Sequence, residues 1–139
     1  MLVVALTSTV ALLVWMGFFM MSSLPLLILK HDTPLDARFI RGLFNLYYVA
    51  ITITATVGAL SYALANRPTI ALGVGFVAAC GFAGRHWFVA RMDRVRSTMT
   101  ADDSAAIRRF RRLHVVGMLL NVALLAGFCV GMTQLSLSG

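Results

Sequence analysis

Glutamate is absent from this sequence, and lysine occurs once, at Lys30. The only acids are five aspartates, Asp32, Asp36, Asp93, Asp102 and Asp103, and all fall in polar stretches. No carboxylate therefore stands within an apolar segment, where a proton relay or cation site of an ion-coupled carrier would need one. No glycine-rich loop precedes the lysine, which excludes a nucleotide-binding P-loop. Cysteine is scarce too: Cys80 and Cys129 lack a CxxC partner, so neither a dithiol redox motif nor a zinc motif is present. The two cysteines fall at different depths of different apolar runs, which argues against a disulfide and suits packing roles. No internal repeat, low-complexity segment or domain boundary interrupts the chain.

What is abundant is apolar sequence. Of 139 residues, 60% are hydrophobic and only 12% are charged, against about 25% charged in a soluble domain. A helix needs about 20 apolar residues to cross the hydrocarbon core of a bilayer, and four runs reach that length, at about 2–29, 42–64, 69–90 and 113–135. None alternates apolar and polar residues as a barrel strand would. The first run lacks a basic leader and is too long for the core of a cleaved signal peptide. The expected fold is an all-α, single-domain, four-helix transmembrane bundle, with a short basic amphipathic helix before the last span. Within the first run, the helix is expected to end near Pro25. Lys30, Thr33 and Pro34 read as a loop, and Asn66 before Pro68 reads as a helix stop.

The net charge of +7 is not read as a nucleic-acid signal, because its placement follows the spans. Lys30, Arg38 and Arg41 flank the first loop, and Arg91, Arg94, Arg96, Arg108, Arg109, Arg111 and Arg112 fill the third. The second loop holds only Arg67. By the positive-inside rule loops one and three are cytoplasmic and both termini lie outside, with a bacterial inner (cytoplasmic) membrane as the expected location. Arg94, Arg96, Arg108, Arg109, Arg111 and Arg112 are expected to contact anionic lipid headgroups. Thr100 is the expected cap of a helix with Asp102 and Asp103 in its first turn. Trp87 and Phe88 suit an interfacial aromatic belt, with Arg85 snorkelling beside them.

Polar residues inside apolar runs are costly, so their positions carry information. Arg41, Asn45, Tyr48 and Thr52 share one face of the second run, and Phe110, His114, Gly117 and Asn121 share one face of the fourth. At about 1.5 Å per residue, Tyr48 and Asn121 both lie roughly 10 Å in from the basic end. Asn45, Tyr48, Arg85, His86, His114 and Asn121 are therefore expected to form one polar cluster. Its plainest use is interhelical hydrogen bonding. A quinone-like ligand, or a haem between His86 and His114, is an alternative that no further motif favours; His31 would join only if its loop folded back. The small residues Gly73, Gly75, Ala78, Ala79, Gly81, Ala83 and Gly84 predict close packing of the third span, inside the bundle or against a second copy.

The run from Phe110 through His114, with Gly117 and Asn121 beyond, resembles the fourth-helix signature of small membrane proteins of unknown function related to transmembrane protein 205. Gly17-Phe18-Phe19 with Pro25, and Leu43-Phe44 with Tyr47-Tyr48, are similar as well. A weaker resemblance, through the Arg-Leu-His run, is to anthrone-oxygenase-like membrane proteins, and would imply cofactor-independent oxygenation. Small size and minimal loops between the first three spans favour an accessory or structural subunit of a larger membrane complex, with other membrane subunits as partners. A membrane oxidoreductase or oxygenase using His114, and a small exporter or tolerance factor, are the rival expectations.

Overall fold

The computed structural model describes residues 1–29, 33–100 and 102–137, with side chains described as far as Gln134. Lys30, His31 and Asp32 lie outside the described residues, and with them most of the expected first loop and any role for His31. The described chain is helical, with no strand: α1 (Leu2–Ile28), α2 (Pro34–Leu64), α3 (Pro68–Gly84), α4 (Ala90–Ser97) and α5 (Ser104–Leu137). A five-residue π-helical turn, Arg85–Val89, joins α3 to α4, so that Pro68–Ser97 forms one continuous rod. Among the described residues, four helices are long and apolar enough to cross a membrane.

α2 and α5 overrun their apolar runs for local reasons. Thr33 and Asp36 form a reciprocal capping box with Pro34 in the first turn, which starts α2 eight residues before Gly42. The expected stop at Pro25 is not observed. Pro25 stands inside α1 on an exposed face, and the helix runs on to Ile28; a proline removes one helical hydrogen bond without ending a membrane helix. Asn66 adopts φ 60°, the left-handed conformation that closes a helix, as its position before Pro68 implied. The cap expected at Thr100 belongs instead to Asp103, whose Oδ1 accepts from the amides of Ala105 and Ala106 at 3.1 and 2.9 Å. No separate amphipathic helix precedes the last span: residues 104–112 are the opening turns of α5 itself.

The helices are unequally packed. α2 is the central post, lying against α1 on one side and α3 on the other. α5 lies against α1 and against the rod formed by α3 and α4. Small residues set the α2–α3 distance. A Cβ on Gly84 would stand 2.5 Å from Cε1 of Tyr48, and one on Gly81 would stand 2.6 Å from Thr52 Oγ1 and 3.0 Å from Ile51 Cγ1. The core between α1, α2 and α5 is aromatic: Phe19 stacks on Tyr47 with ring centres 4.1 Å apart, and Phe44 meets Phe19 edge-on at 4.8 Å. Hydroxyls of Thr9 and Tyr62, 2.9 Å apart and buried, tie α1 to α2 toward the opposite end. The outer faces carry Leu6, Val14, Phe18, Ile53, Leu60, Leu72, Phe82 and Leu119, all exposed. These exposed apolar faces belong to helices long and apolar enough to cross a membrane.

Replacing Gly84 by alanine should lower stability by about 1–3 kcal/mol through overpacking against Tyr48. Gly42→Ala, where an added Cβ meets nothing within 4 Å, should be neutral or slightly stabilising. Thermal denaturation of both variants in one mild detergent checks the contrast.

A candidate binding cleft between the third and fifth helices

The expected polar cluster does not assemble as one unit, because its members divide among several places. The first is a buried bridge. Tyr47, rather than Tyr48, donates its hydroxyl to Oδ1 of Asn121, and Nδ2 of Asn121 donates to the Met16 carbonyl at 3.3 Å. This joins α2, α5 and α1 through a side chain that is 1% exposed. The second is peripheral: Arg85 Nε donates to Asn45 Oδ1 at 3.1 Å on an exposed surface. The third is His114, buried edge-on against Phe44 with ring centres 5.6 Å apart. His86 instead stays exposed and packs on Phe82. Among the described residues no contact joins the two histidines, as a shared haem would require, and no group of three His, Cys, Asp or Glu side chains converges.

His114 Nε2 and Ser23 Oγ are both buried without a hydrogen-bond partner among the described residues. The register of α1 on α5 puts them at one level. Asn121 meets Met16 and Arg111 meets Leu27, so positions 23 and 114, each seven residues from the first pair, lie at a similar depth.

Between α3 and α5 lies a cleft of about 670 Å³. Its walls are Phe76, Cys80, Ala83 and Gly84 from the α3 side and Val116, Gly117, Leu120 and Leu124 from α5. Tyr47 and Tyr48 of α2 form the floor with Asn121. Gly117 lets α5 approach α2 closely, since a Cβ there would collide with the Phe44 ring. Tyr48 is only 4% exposed, is stacked on Phe88, and makes no hydrogen bond through its hydroxyl among the described residues. Phe88, expected in an interfacial belt, is thus a core residue, while Trp87 beside it is exposed and lines the cleft. Cys80 also lines it, and Cys129 points outward rather than packing. Besides the Tyr47–Asn121 pair on the floor, the polar groups around the cleft are the Tyr48 hydroxyl, the Trp87 indole N–H and the Cys80 thiol. All can donate a hydrogen bond and none is an ionised acceptor.

At the basic end, Arg41 fixes α2 to α4 by a two-pronged pair with Asp93, Nε to Oδ1 and Nη2 to Oδ2 both at 2.9 Å. These hydrogen bonds hold the Asp93 carboxyl below the ordinary carboxylate range. Of the arginines expected at headgroups, Arg96 also lies 3.7 Å from Asp93. Arg111 donates to the Leu27 carbonyl at 3.2 Å. Arg108 is exposed. Arg94, Arg109 and Arg112 line a recess of about 380 Å³ together with Arg91, a residue the sequence alone did not single out.

No family model, curated protein or solved structure matches this chain.

The Asn121 bridge gives a quantitative expectation. Tyr47→Phe and Asn121→Leu should each cost about 0.6 kcal/mol, and no more than about 1.7, as interhelical hydrogen bonds in membranes do. The double variant should cost less than the sum. A double-mutant cycle on unfolding in mixed micelles measures the coupling.

Proposed function

We propose that the protein resides in a bilayer and binds a lipophilic molecule there, taken up sideways into the cleft between α3 and α5. The observation that carries this reading is the cleft: its walls are apolar and its floor holds Tyr48, whose hydroxyl makes no hydrogen bond among the described residues. A cleft of some hundreds of Å³ with a few convergent polar groups is the usual form of a small-molecule site. The donors favour a ligand whose head accepts hydrogen bonds, such as a carbonyl or a phosphoryl oxygen, and the aromatic walls suit an apolar body. The arginine-rich end lies on the cytoplasmic side in this reading, by the positive-inside rule.

Protein purified in a mild detergent and then extracted with organic solvent should release such a compound in near-stoichiometric amount, seen by mass spectrometry. Ala83→Trp, which fills the cleft from an exposed position, should abolish retention. Tyr48→Phe should weaken it by about 1 kcal/mol, the worth of one hydrogen bond. Release of only bulk lipid in bulk proportions from all three proteins would contradict the proposal.

An accessory-subunit reading has one observation in its favour. Ala123, Gly127 and Gly131 recur every fourth residue of α5 and, with Gly73 of α3, line a further open recess of about 270 Å³. An added Cβ at Gly73, Gly127 or Gly131 would meet nothing within 4 Å. Small residues at this spacing admit a neighbouring transmembrane helix. A second protein co-purifying at fixed stoichiometry, and lost in Gly127→Leu, is the expected result of that reading. Isolation as a lone chain under gentle extraction speaks against it.

A further inference from the structure

The recess at the basic end and the apolar cleft are neighbours on one surface. The recess is lined by Arg91 and Arg94 of α4, Arg109, Arg112, Leu113 and Val116 of α5, Val95, and Trp87 of the π-helical turn. Trp87 and Val116 line the cleft as well. A molecule seated in one therefore reaches the other without leaving the protein surface.

The charge is one-sided. Four arginines line this recess, largely through their apolar stems, and no carboxylate lines it. The acid that would neutralise them, Asp93, is engaged by Arg41 and Arg96. The nearest other acid, Asp103, lines an adjoining recess with Arg94 and Arg109, and its Oδ1 accepts from the first amides of α5. The Arg91 guanidinium lies 4.1 Å from the centre of the Trp87 ring, which steers it over the junction between recess and cleft. Like charges gathered on two helices repel unless an anion lies between them. Planar guanidiniums match phosphate oxygens in two-pronged pairs.

We propose that this recess and the cleft together form one site for a single amphiphile with a phosphate head and a long apolar chain. The head lies among Arg91, Arg94, Arg109 and Arg112. The chain passes Trp87 and Val116 into the space between α3 and α5. This inference rests on the cleft reading and specifies its ligand. It also goes beyond a general attraction of basic loops to anionic membranes, because it assigns four arginines to one molecule and leaves Arg38 and Arg108 out.

The test uses the full chain in phosphatidylcholine nanodiscs, with Trp15→Phe so that Trp87 is the sole tryptophan. Phosphatidic acid carrying bromine on its acyl chain is titrated in, and quenching of Trp87 is followed. Quenching should saturate at a low mole fraction of brominated phosphatidic acid and should not saturate with brominated phosphatidylcholine. Arg94→Gln with Arg112→Gln should weaken the apparent affinity about fivefold for each arginine removed, roughly thirtyfold together. Arg38→Gln with Arg108→Gln removes the same charge from the same end and should leave it unchanged. Equal weakening by both pairs would reduce the effect to surface attraction and overturn the proposal. Full competition by inorganic phosphate alone would overturn it as well, since the chain would then contribute nothing. Ala83→Trp separates the two levels of inference. If it abolishes retention of a lipophile while the arginine variants have no effect, the cleft reading stands and the phosphate head is wrong. If it has no effect on any ligand, the cleft reading itself fails.

Discussion

Glycines 81 and 84 set the distance at which α3 lies against α2, and most of the architecture depends on that contact. In lipid no hydrophobic force draws helices together, so close approach of backbones and a few hydrogen bonds decide which helices stay in register. The α2–α3 pair is held by the seating of Gly84 on the Tyr48 ring. The α1–α2 pair is held by the Phe19, Phe44 and Tyr47 rings and the Thr9–Tyr62 bond. α5 is fastened by Asn121 to Tyr47 and to the backbone of α1. Among the described residues no side-chain hydrogen bond links α3 to α5, and the cleft lies between them.

The same economy explains the free hydroxyl and the unpaired charge. Asn121 has one carbonyl oxygen and one amide group, and the Tyr47 hydroxyl and the Met16 carbonyl engage both. Tyr48, on the next position of α2, is turned toward Gly84 and Phe88, where no acceptor stands among the described residues. At the basic end Asp93 plays the corresponding part, drawing Arg41 and Arg96 to itself and leaving arginines as the only charged residues lining the described recess between α4 and α5. The π-helical turn matters here, since turns of this kind re-aim side chains and recur at functional positions. It carries Trp87 to the junction of recess and cleft.

The four spans were legible because twenty-residue apolar runs have few other uses in a chain this short, and their ends were displaced wherever a cap outside the run extended the helix, as Thr33 and Asp103 do. The buried face of Phe110, His114, Gly117 and Asn121 was legible from helical spacing. What spacing does not reveal is the choice between adjacent residues: Tyr47 and Tyr48 differ by about 100° around α2, and only the position of α5 decides which of them Asn121 meets. Depth likewise put His86 and His114 at similar levels, but not on facing sides. The π-helical turn has no sequence signature, so the rotation that exposes Trp87 and buries Phe88 was not foreseeable. The arginine recess was hidden for a related reason: a run of arginines reads as one surface until two helices show which of them converge.

The openness of the α3–α5 cleft to lipid is most directly tested by electron paramagnetic resonance of a spin label on Cys80, with Cys129→Ala, in bilayers. Collision with dissolved oxygen, which concentrates in the hydrocarbon, would be compared with labels at the exposed Leu72 and the buried Ala55. The structure predicts that a label at Cys80 collides with oxygen nearly as often as one at Leu72. A collision rate as low as that at Ala55 would mean that α3 and α5 close on each other in the membrane, and would contradict a site between them.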